Sequence, residues 1–245
     1  MKVRIKFEKY GALKYIGHLD VMRFFQKANR RANLPVAMSK GYSPHQLLTF
    51  SNPLGLGMIS EGEYMDLELT KDMDCKEIID SLQEVMVEGM HILDACPILD
   101  EKQNAMASIR ACDYEISFEE KVFEEETLLD FLKQEEILVK KKTKKGETKV
   151  NIRPMIYEMY FTRGNFEPDG SEEELLYLKL ASGSEQNLKV DLLLETLYAF
   201  AGKECRPYSY HIKRKDCFGK DPNTQELVNL FELASRIKKK EEENS

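Results

Sequence analysis

The chain has 245 residues, 42% of them hydrophobic and 32% charged, with no Trp. That length can bury an apolar core without a metal or disulfide staple, and the composition is ordinary for a soluble globular protein, so disorder is not the default reading. A formal charge of −7 argues against nucleic-acid binding by the molecule as a whole.

Val3, Ile5 and Phe7 alternate with charged residues, the pattern of a half-buried strand and not of a secretion signal; no later run approaches membrane-spanning length, so the expected location is the cytoplasm. From Leu19 to Ala32 the apolar residues Leu19, Met22, Phe25 and Ala28 follow helical spacing, and Leu34-Pro35 ends the helix. Gly, Ser, Pro and Asn residues between Ser39 and Ser60 mark a long loop, broken by the apolar segment Leu47 to Phe50. Glu63 to Leu69 reads as a strand, Cys75 to Glu88 as an amphipathic helix and His91 to Leu99 as a closing strand. The order β-α-β-β-α-β is that of the split-βαβ, ferredoxin-like motif.

The pattern then starts again. Tyr114, Ile116 and Phe118 alternate; a helix is predicted over Glu124 to Lys133 and a strand over Ile137 to Lys141. Val150 to Phe161 fits strand or helix, Leu175 to Leu180 is a strand, Val190 to Phe200 a helix and Tyr208 to Arg214 a final strand. The expected fold class is therefore α+β: two tandem ferredoxin-like modules with antiparallel sheets, over 1–105 and 106–235, with a charged tail at 236–245. One continuous domain is the alternative.

Charge is distributed unevenly. Residues 1–50 hold ten Lys and Arg against Glu8 and Asp20, a balance of +8, and the other 195 residues carry −15. Because salt screens fields beyond roughly 8–10 Å, a local basic segment can attract a polyanion to one face of an acidic protein. Arg23, Lys27 and Arg30 recur at helical spacings of four and three, with Arg31 beside them, and Lys14 and Lys40 flank the helix. Such a stripe can track successive phosphates, although a solvated helix face looks the same. Lys141, Lys144, Lys145 and Arg153 form a second basic group, which Arg214 on the last strand could extend. The loop residues Gly41, Ser43, Pro44, Gly55, Gly57, Ser60 and Gly62 allow close approach to main-chain N–H groups, without a P-loop or a G-x-G-x-x-G placement.

His18, Asp20, His45, Glu61 and Glu63 are the residues that could serve acid-base or metal chemistry, with His18, His45 and Glu61 the set a hydrolytic site would use, but their spacing does not require them to meet. No metal site is expected. Five cysteines, Cys75, Cys96, Cys112, Cys205 and Cys217, never occur as C-x-x-C, which argues against a disulfide framework or structural zinc.

Four segments, Tyr15-Ile16-Gly17-His18-Leu19-Asp20, Arg30-Arg31-Ala32-x-Leu34-Pro35, Gly41-Tyr42-x-Pro44-His45 and Gly57-x-x-Ser60-x-Gly62-Glu63, resemble the radical SAM-linked domain of unknown function, most densely over residues 1–65. The resemblance implies a radical SAM protein as partner, with the iron-sulfur cluster and S-adenosylmethionine held there. This chain lacks C-x-x-x-C-x-x-C and is expected to bring no cofactor of its own. A fainter likeness, at the level of fold, points to the ferredoxin-like RNA-binding proteins of CRISPR systems, in which case His18 becomes a candidate acid-base residue for RNA cleavage. The combined expectation is an RNA-binding accessory to a radical SAM enzyme that modifies tRNA or rRNA. A hydrolytic or metal-dependent enzyme and a protein-only adaptor are the alternatives.

Overall fold

The described residues of the computed structural model are 1–100, 103–143, 146–167 and 170–236, without the side chains of 141–143, 146 and 147. The chain forms two compact units, Met1–Arg110 with Arg214–Ser245, and Ala111–Lys213. Both are α+β with antiparallel sheets.

The first unit contains β1 (Lys2–Lys9), α1 (His18–Arg31), β2 (Leu48–Phe50), β3 (Ile59–Glu68), α2 (Cys75–Gln83), β4 (Met90–Pro97) and a short α3 (Ala105–Ser108). Its strands lie in the order β4-β1-β3-β2, all antiparallel, as in the split-βαβ motif. The register opposes Ile5 to Met65 and Val3 to Leu67, and these side chains pack with Phe7 against Val21, Phe25 and Ala28 of α1 and Ile78 and Leu82 of α2. Because side chains alternate across a strand, the intervening residues take the other face: Lys2 opposes Glu68, Arg4 opposes Asp66 and Lys6 opposes Tyr64. The helix expected over Cys75 to Glu88 stops at Gln83, and its start is capped by the Asp74 carboxylate, which accepts from the N–H groups of Lys76 and Glu77.

The second unit begins within β5 (Ile109–Phe118) and continues through α4 (Glu125–Lys133), β6 (Leu138–Thr143), β7 (Gly146–Asn151), β8 (Ile156–Asn165), β9 (Glu172–Ala181), α5 (Val190–Phe200) and the first residues of β10 (Tyr210–Lys220). The strand order β10-β5-β9-β8 repeats that of the first unit. The segment read as the second strand, Ile137 to Lys141, instead supplies most of β6, which pairs with β7 as a separate hairpin between α4 and β8. The ambiguous stretch Val150 to Phe161 is divided by a 3₁₀ turn at Arg153–Met155. Pro154 brings no N–H to a ladder there, so β7 ends and β8 starts afresh.

From Arg214 the chain belongs to the first unit again, where the rest of β10 runs beside β3 and is followed by β11 (Leu227–Asn229) and α6 (Leu230–Ala234). The sequence reading keeps this stretch in the second module, because hydrophobic period reveals a strand but not its neighbour. The 236–245 tail lies outside the described residues from Ile237 onward. Arg4 shows why the return matters. Fully buried, it donates from Nε and Nη2 to the Asp66 carboxylate at 2.7 and 2.9 Å and from Nη1 to the Leu230 carbonyl at 2.7 Å, while Asp66 also accepts from the Ala105 N–H at 2.7 Å. Asp66→Ala, which strands the guanidinium without its carboxylate, should lower stability by about 3–5 kcal/mol in urea denaturation. Pairing that change with Arg4→Met should recover most of the loss.

Candidate functional site

α1 turns one face to the core and the other to solvent. Val21, Phe25 and Ala28 are buried, whereas Leu19, Asp20, Arg23, Lys27, Arg30 and Arg31 are exposed. Arg23 meets the Asp20 carboxylate at 3.4 Å, a contact between two solvated side chains; Lys27, Arg30 and Arg31 meet no carboxylate among the described residues. Exposed ion pairs of that kind are worth less than about 1 kcal/mol and yield readily to a competing phosphate. At the N-terminal end of the same helix, Tyr15 is 67% and Leu19 60% exposed, and the Lys14 ammonium lies 5.6 Å from the Tyr15 ring centre.

The loops beside α1 are held by their own contacts. Ser39 and His45 close one of them: the Ser39 hydroxyl lies 2.8 Å from His45 Nδ1 and accepts from the His45 N–H at 3.0 Å. Lys40, Gly41, Tyr42, Ser43 and Pro44 form its exposed tip, where Gly41 has φ +114°. In the second loop Gly57, at φ +81°, donates its N–H to the Lys14 carbonyl at 2.9 Å, and Gly55 lies against the Met58 side chain. The Ser60 hydroxyl is buried and accepts from the Gly62 N–H. Gly62 admits another strand, not a ligand: a Cβ there would stand 2.6 Å from the Asp216 Cα and from the Lys215 carbonyl oxygen.

Four of the acid-base candidates are held by different partners. Asp20 faces Arg23, His45 is bound to Ser39 and Glu61 pairs with Lys215 at 2.6 Å, while the His18 ring packs edge-on against Phe50 with centres 5.5 Å apart. Among the described residues, no three His, Cys, Asp or Glu side chains are close enough to hold a metal ion. Burial raises the thiols of Cys75, Cys205 and Cys96 above their usual range, Cys96 to about 12, so these three are poor nucleophiles.

Of the second basic group, Lys144, Lys145 and the Lys141 side chain lie outside the described residues. The backbone of the β6–β7 hairpin sets the exposed Lys140 opposite the exposed Lys149, two like charges directly across a strand pair. Arg153 is half-buried and donates from Nε to the Leu132 carbonyl at 2.8 Å. The expectation that Arg214 extends a basic surface does not hold. It is 3% exposed, paired with Glu63, and donates to the Asn52 carbonyl at 3.0 Å. Lys213 is likewise buried, against Glu115 at 2.9 Å and the Asn165 carbonyl at 2.7 Å.

Beside the buried Glu63–Arg214 pair stands Lys9, which the sequence reading singled out for no role. Lys9 continues the core-facing series Val3, Ile5, Phe7 and is 3% exposed. Among the described residues its ammonium reaches one acceptor, the Ile16 carbonyl, at 3.5 Å. Glu63 lies on the same face of β3 and is engaged by Arg214 through Nε at 3.1 Å and through Nη2. Lys9, Glu63 and His18, with Phe7, Phe50 and Pro53 among their neighbours, line a cavity of about 10 Å³. Burial lowers the Lys9 pKa below the ordinary lysine value, Glu63 partly offsets this and Arg214 adds to it. A charged residue in register with a core stripe was the available signal, at Lys9 after Phe7 and at Glu63 before Met65.

Fold and surface together define an α+β protein with one exposed, cationic helix and a buried cation beside that helix's N-terminus. The chain belongs to the family described as "Uncharacterized protein conserved in bacteria (DUF2344)", whose profile matches residues 2–190. No curated protein matches it. Among solved structures it is similar to an unknown protein from Galdieria sulphuraria, at 11% identity over 87% of this chain and 96% of that one, with a TM-score of 0.24. It is also similar to the first two RRM domains of yeast poly(U)-binding protein Pub1, at 11% identity over 87% and 98% of the two chains, with a TM-score of 0.21.

The buried lysine gives a pH-dependent test. Its lowered pKa means the folded chain holds that proton less tightly than the unfolded chain, so the destabilisation is complete at pH 7 and disappears as pH rises through the ordinary lysine value near 10.5. Lys9→Met should therefore stabilise the protein at pH 7, by on the order of 1 kcal/mol. The advantage should shrink toward pH 10.5 when denaturation midpoints are compared across pH.

Proposed function

We propose that this protein binds RNA through the exposed face of α1 and acts as an accessory to a partner enzyme. The observation that carries the reading is the stripe Arg23, Lys27, Arg30 and Arg31: four cations on one exposed helix face, three of them without a carboxylate neighbour among the described residues. Leaving such charges uncompensated has little structural value, and a phosphate backbone would supply the missing counter-charges while releasing condensed ions. Tyr15 and the fully exposed Tyr42 add aromatic faces on which unpaired bases can stack. The Lys140 and Lys149 pair is a second surface that gains from an anion.

The partner in this reading is a radical SAM enzyme, which holds the iron-sulfur cluster and S-adenosylmethionine and carries out the modification, on tRNA or rRNA. Support for the partner is the resemblance of residues 1–65 to the radical SAM-linked domain. The hydrolytic alternative draws no support from His45 and Glu61, each taken by a neighbour that is not the other.

The test is salt-dependent retention of a tRNA and rRNA pool by the full chain and by Arg23→Glu/Arg30→Glu/Arg31→Glu. Three lost phosphate contacts on a single strand should flatten the slope of log affinity against log salt by about 2 and weaken binding most at low salt. Lys133→Glu, which changes the charge of a different exposed helix, should leave retention nearly unchanged. Equal retention by wild type and the triple variant overturns the reading; co-purification of a partner that survives ribonuclease, without RNA, would favour a protein-only adaptor.

A further inference from the structure

Lys9 is poorly explained as a structural residue. A buried ammonium ordinarily satisfies its three donors and stands against a carboxylate, because an ion in a low-dielectric site costs several kcal/mol unless it is paired. Lys9 has one long hydrogen bond, and its natural counter-ion Glu63 is already engaged by two guanidinium nitrogens of Arg214. The charge is therefore held under tension at a cavity wall.

Two further groups at that wall have the same sign of need. His18 lines the cavity, and neither ring nitrogen meets a partner among the described residues; its one contact is the edge-on packing against Phe50. His18 is also the first residue of α1, a helix of 14 residues whose N-cap, Gly17, offers no side-chain acceptor. The N-terminus of such a helix carries a partial positive charge and unpaired N–H groups. The acidic residue of the first turn, Asp20, is exposed: its Oδ1 meets Arg23 at 3.4 Å and its Oδ2 turns back to within 3.9 Å of where a Gly17 Cβ would stand, so it offsets only part of that positive end.

We propose that Lys9, His18 and the N-terminus of α1 form an anion pocket that takes one oxygen of a phosphate group, supplied by the RNA bound along α1. This deepens the proposed function and rests on it for the source of the phosphate. Size agrees with the assignment: a cavity of about 10 Å³ accommodates about one oxygen atom of water dimensions and not a whole phosphate group. Charge agrees as well, since Glu63 is neutralised by Arg214 and the ammonium leaves the pocket net positive. By helical periodicity His18 falls on the face of Val21, Phe25 and Ala28, roughly opposite the Arg23, Lys27 and Arg30 stripe, so the RNA would reach the pocket by passing over the N-terminal end of α1. The pocket would fix where that strand turns onto the helix.

The protein has four histidines, so the His18 ring can be followed individually by NMR. Inorganic phosphate is titrated into the full chain at constant ionic strength, with chloride as the reference anion. A saturable shift of the His18 ring is expected, weakened about ten-fold or more by Lys9→Met, since one charge-assisted contact is lost. The Arg23→Glu/Arg30→Glu/Arg31→Glu variant should retain it. His18→Phe keeps the ring packing against Phe50 and should lose phosphate binding, read there from the backbone amide shifts of Leu19 and Asp20, without unfolding, which circular dichroism and the remaining histidine resonances would verify. No saturable shift, or an equal shift in Lys9→Met, overturns the pocket even when RNA is still retained by α1. A phosphate shift that bound RNA reverses by competition supports RNA as the source. A phosphate shift in a protein that retains no RNA leaves the pocket standing with free phosphate as its ligand and overturns the RNA reading alone.

Discussion

The antiparallel register of β1 against β3 governs the first unit. With Ile5 opposite Met65 and Val3 opposite Leu67, one face of the sheet becomes the floor of the core and the other collects Arg4, Lys6, Tyr64 and Asp66. A slip of a single residue would exchange the two sets, placing a guanidinium under α1 and a phenylalanine among carboxylates, so the register is strongly specified. The same rule carries Lys9 and Glu63 to the core side at the edge of the sheet, where α1 begins. The helix, the loop at Asn52 to Gly57 and the buried charges are thus positioned by one pairing.

The polar face shows how fully the interior charges are used. Lys6 Nζ stands 2.9 Å from Asp216 and 5.8 Å from the Tyr64 ring centre, and the Tyr64 hydroxyl donates to the same Asp216 carboxylate. Burial, reinforced by that carboxylate, pushes the Tyr64 hydroxyl far above its normal pKa, so it stays a donor at every physiological pH. Arg4 and Asp66 are equally complete. Among these buried charges Lys9 is the least satisfied, and among the described residues Asn29 Oδ1 and Gln103 Oε1 are also buried without a partner. A buried charge without a close counter-ion is a candidate for binding an anion.

Much of this was legible beforehand. The strand at Val3 to Phe7, the helix at Leu19 to Ala32 and the order of the first unit follow from period, because burial on one side imposes a period of 2 or 3.6 on the sequence, whereas the order of the second unit was read with Ile137 to Lys141 in the place that β8 occupies. The exposed stripe Arg23, Lys27 and Arg30 followed from the same geometry. What period cannot supply is partnership. Nothing in the order of residues announces that Arg214 meets Glu63 or that Asp216 meets Tyr64, since each pair is separated by about 150 residues. The β6–β7 hairpin was half legible: a strand was read over Ile137 to Lys141, but the apolar residues from Val150 to Phe161 fit strand or helix, so the pairing of the buried Val139 with Val150 was not seen.

The first unit is discontinuous, and that has a consequence during synthesis. Asp66 and Glu63 emerge from the ribosome long before the residues that complete their surroundings, Leu230 and Arg214, and the whole of Ala111–Lys213 is made in between. At roughly 5–20 residues per second that interval lasts on the order of ten to thirty seconds. During it the nascent β1–β3 pair carries Lys9 beside an uncommitted Glu63, so the carboxylate is free to neutralise the lysine until Arg214 arrives and takes it. The pocket's positive charge is in this sense switched on by the last strand, and a chain arrested before that strand would present a neutral cavity in place of an anion site.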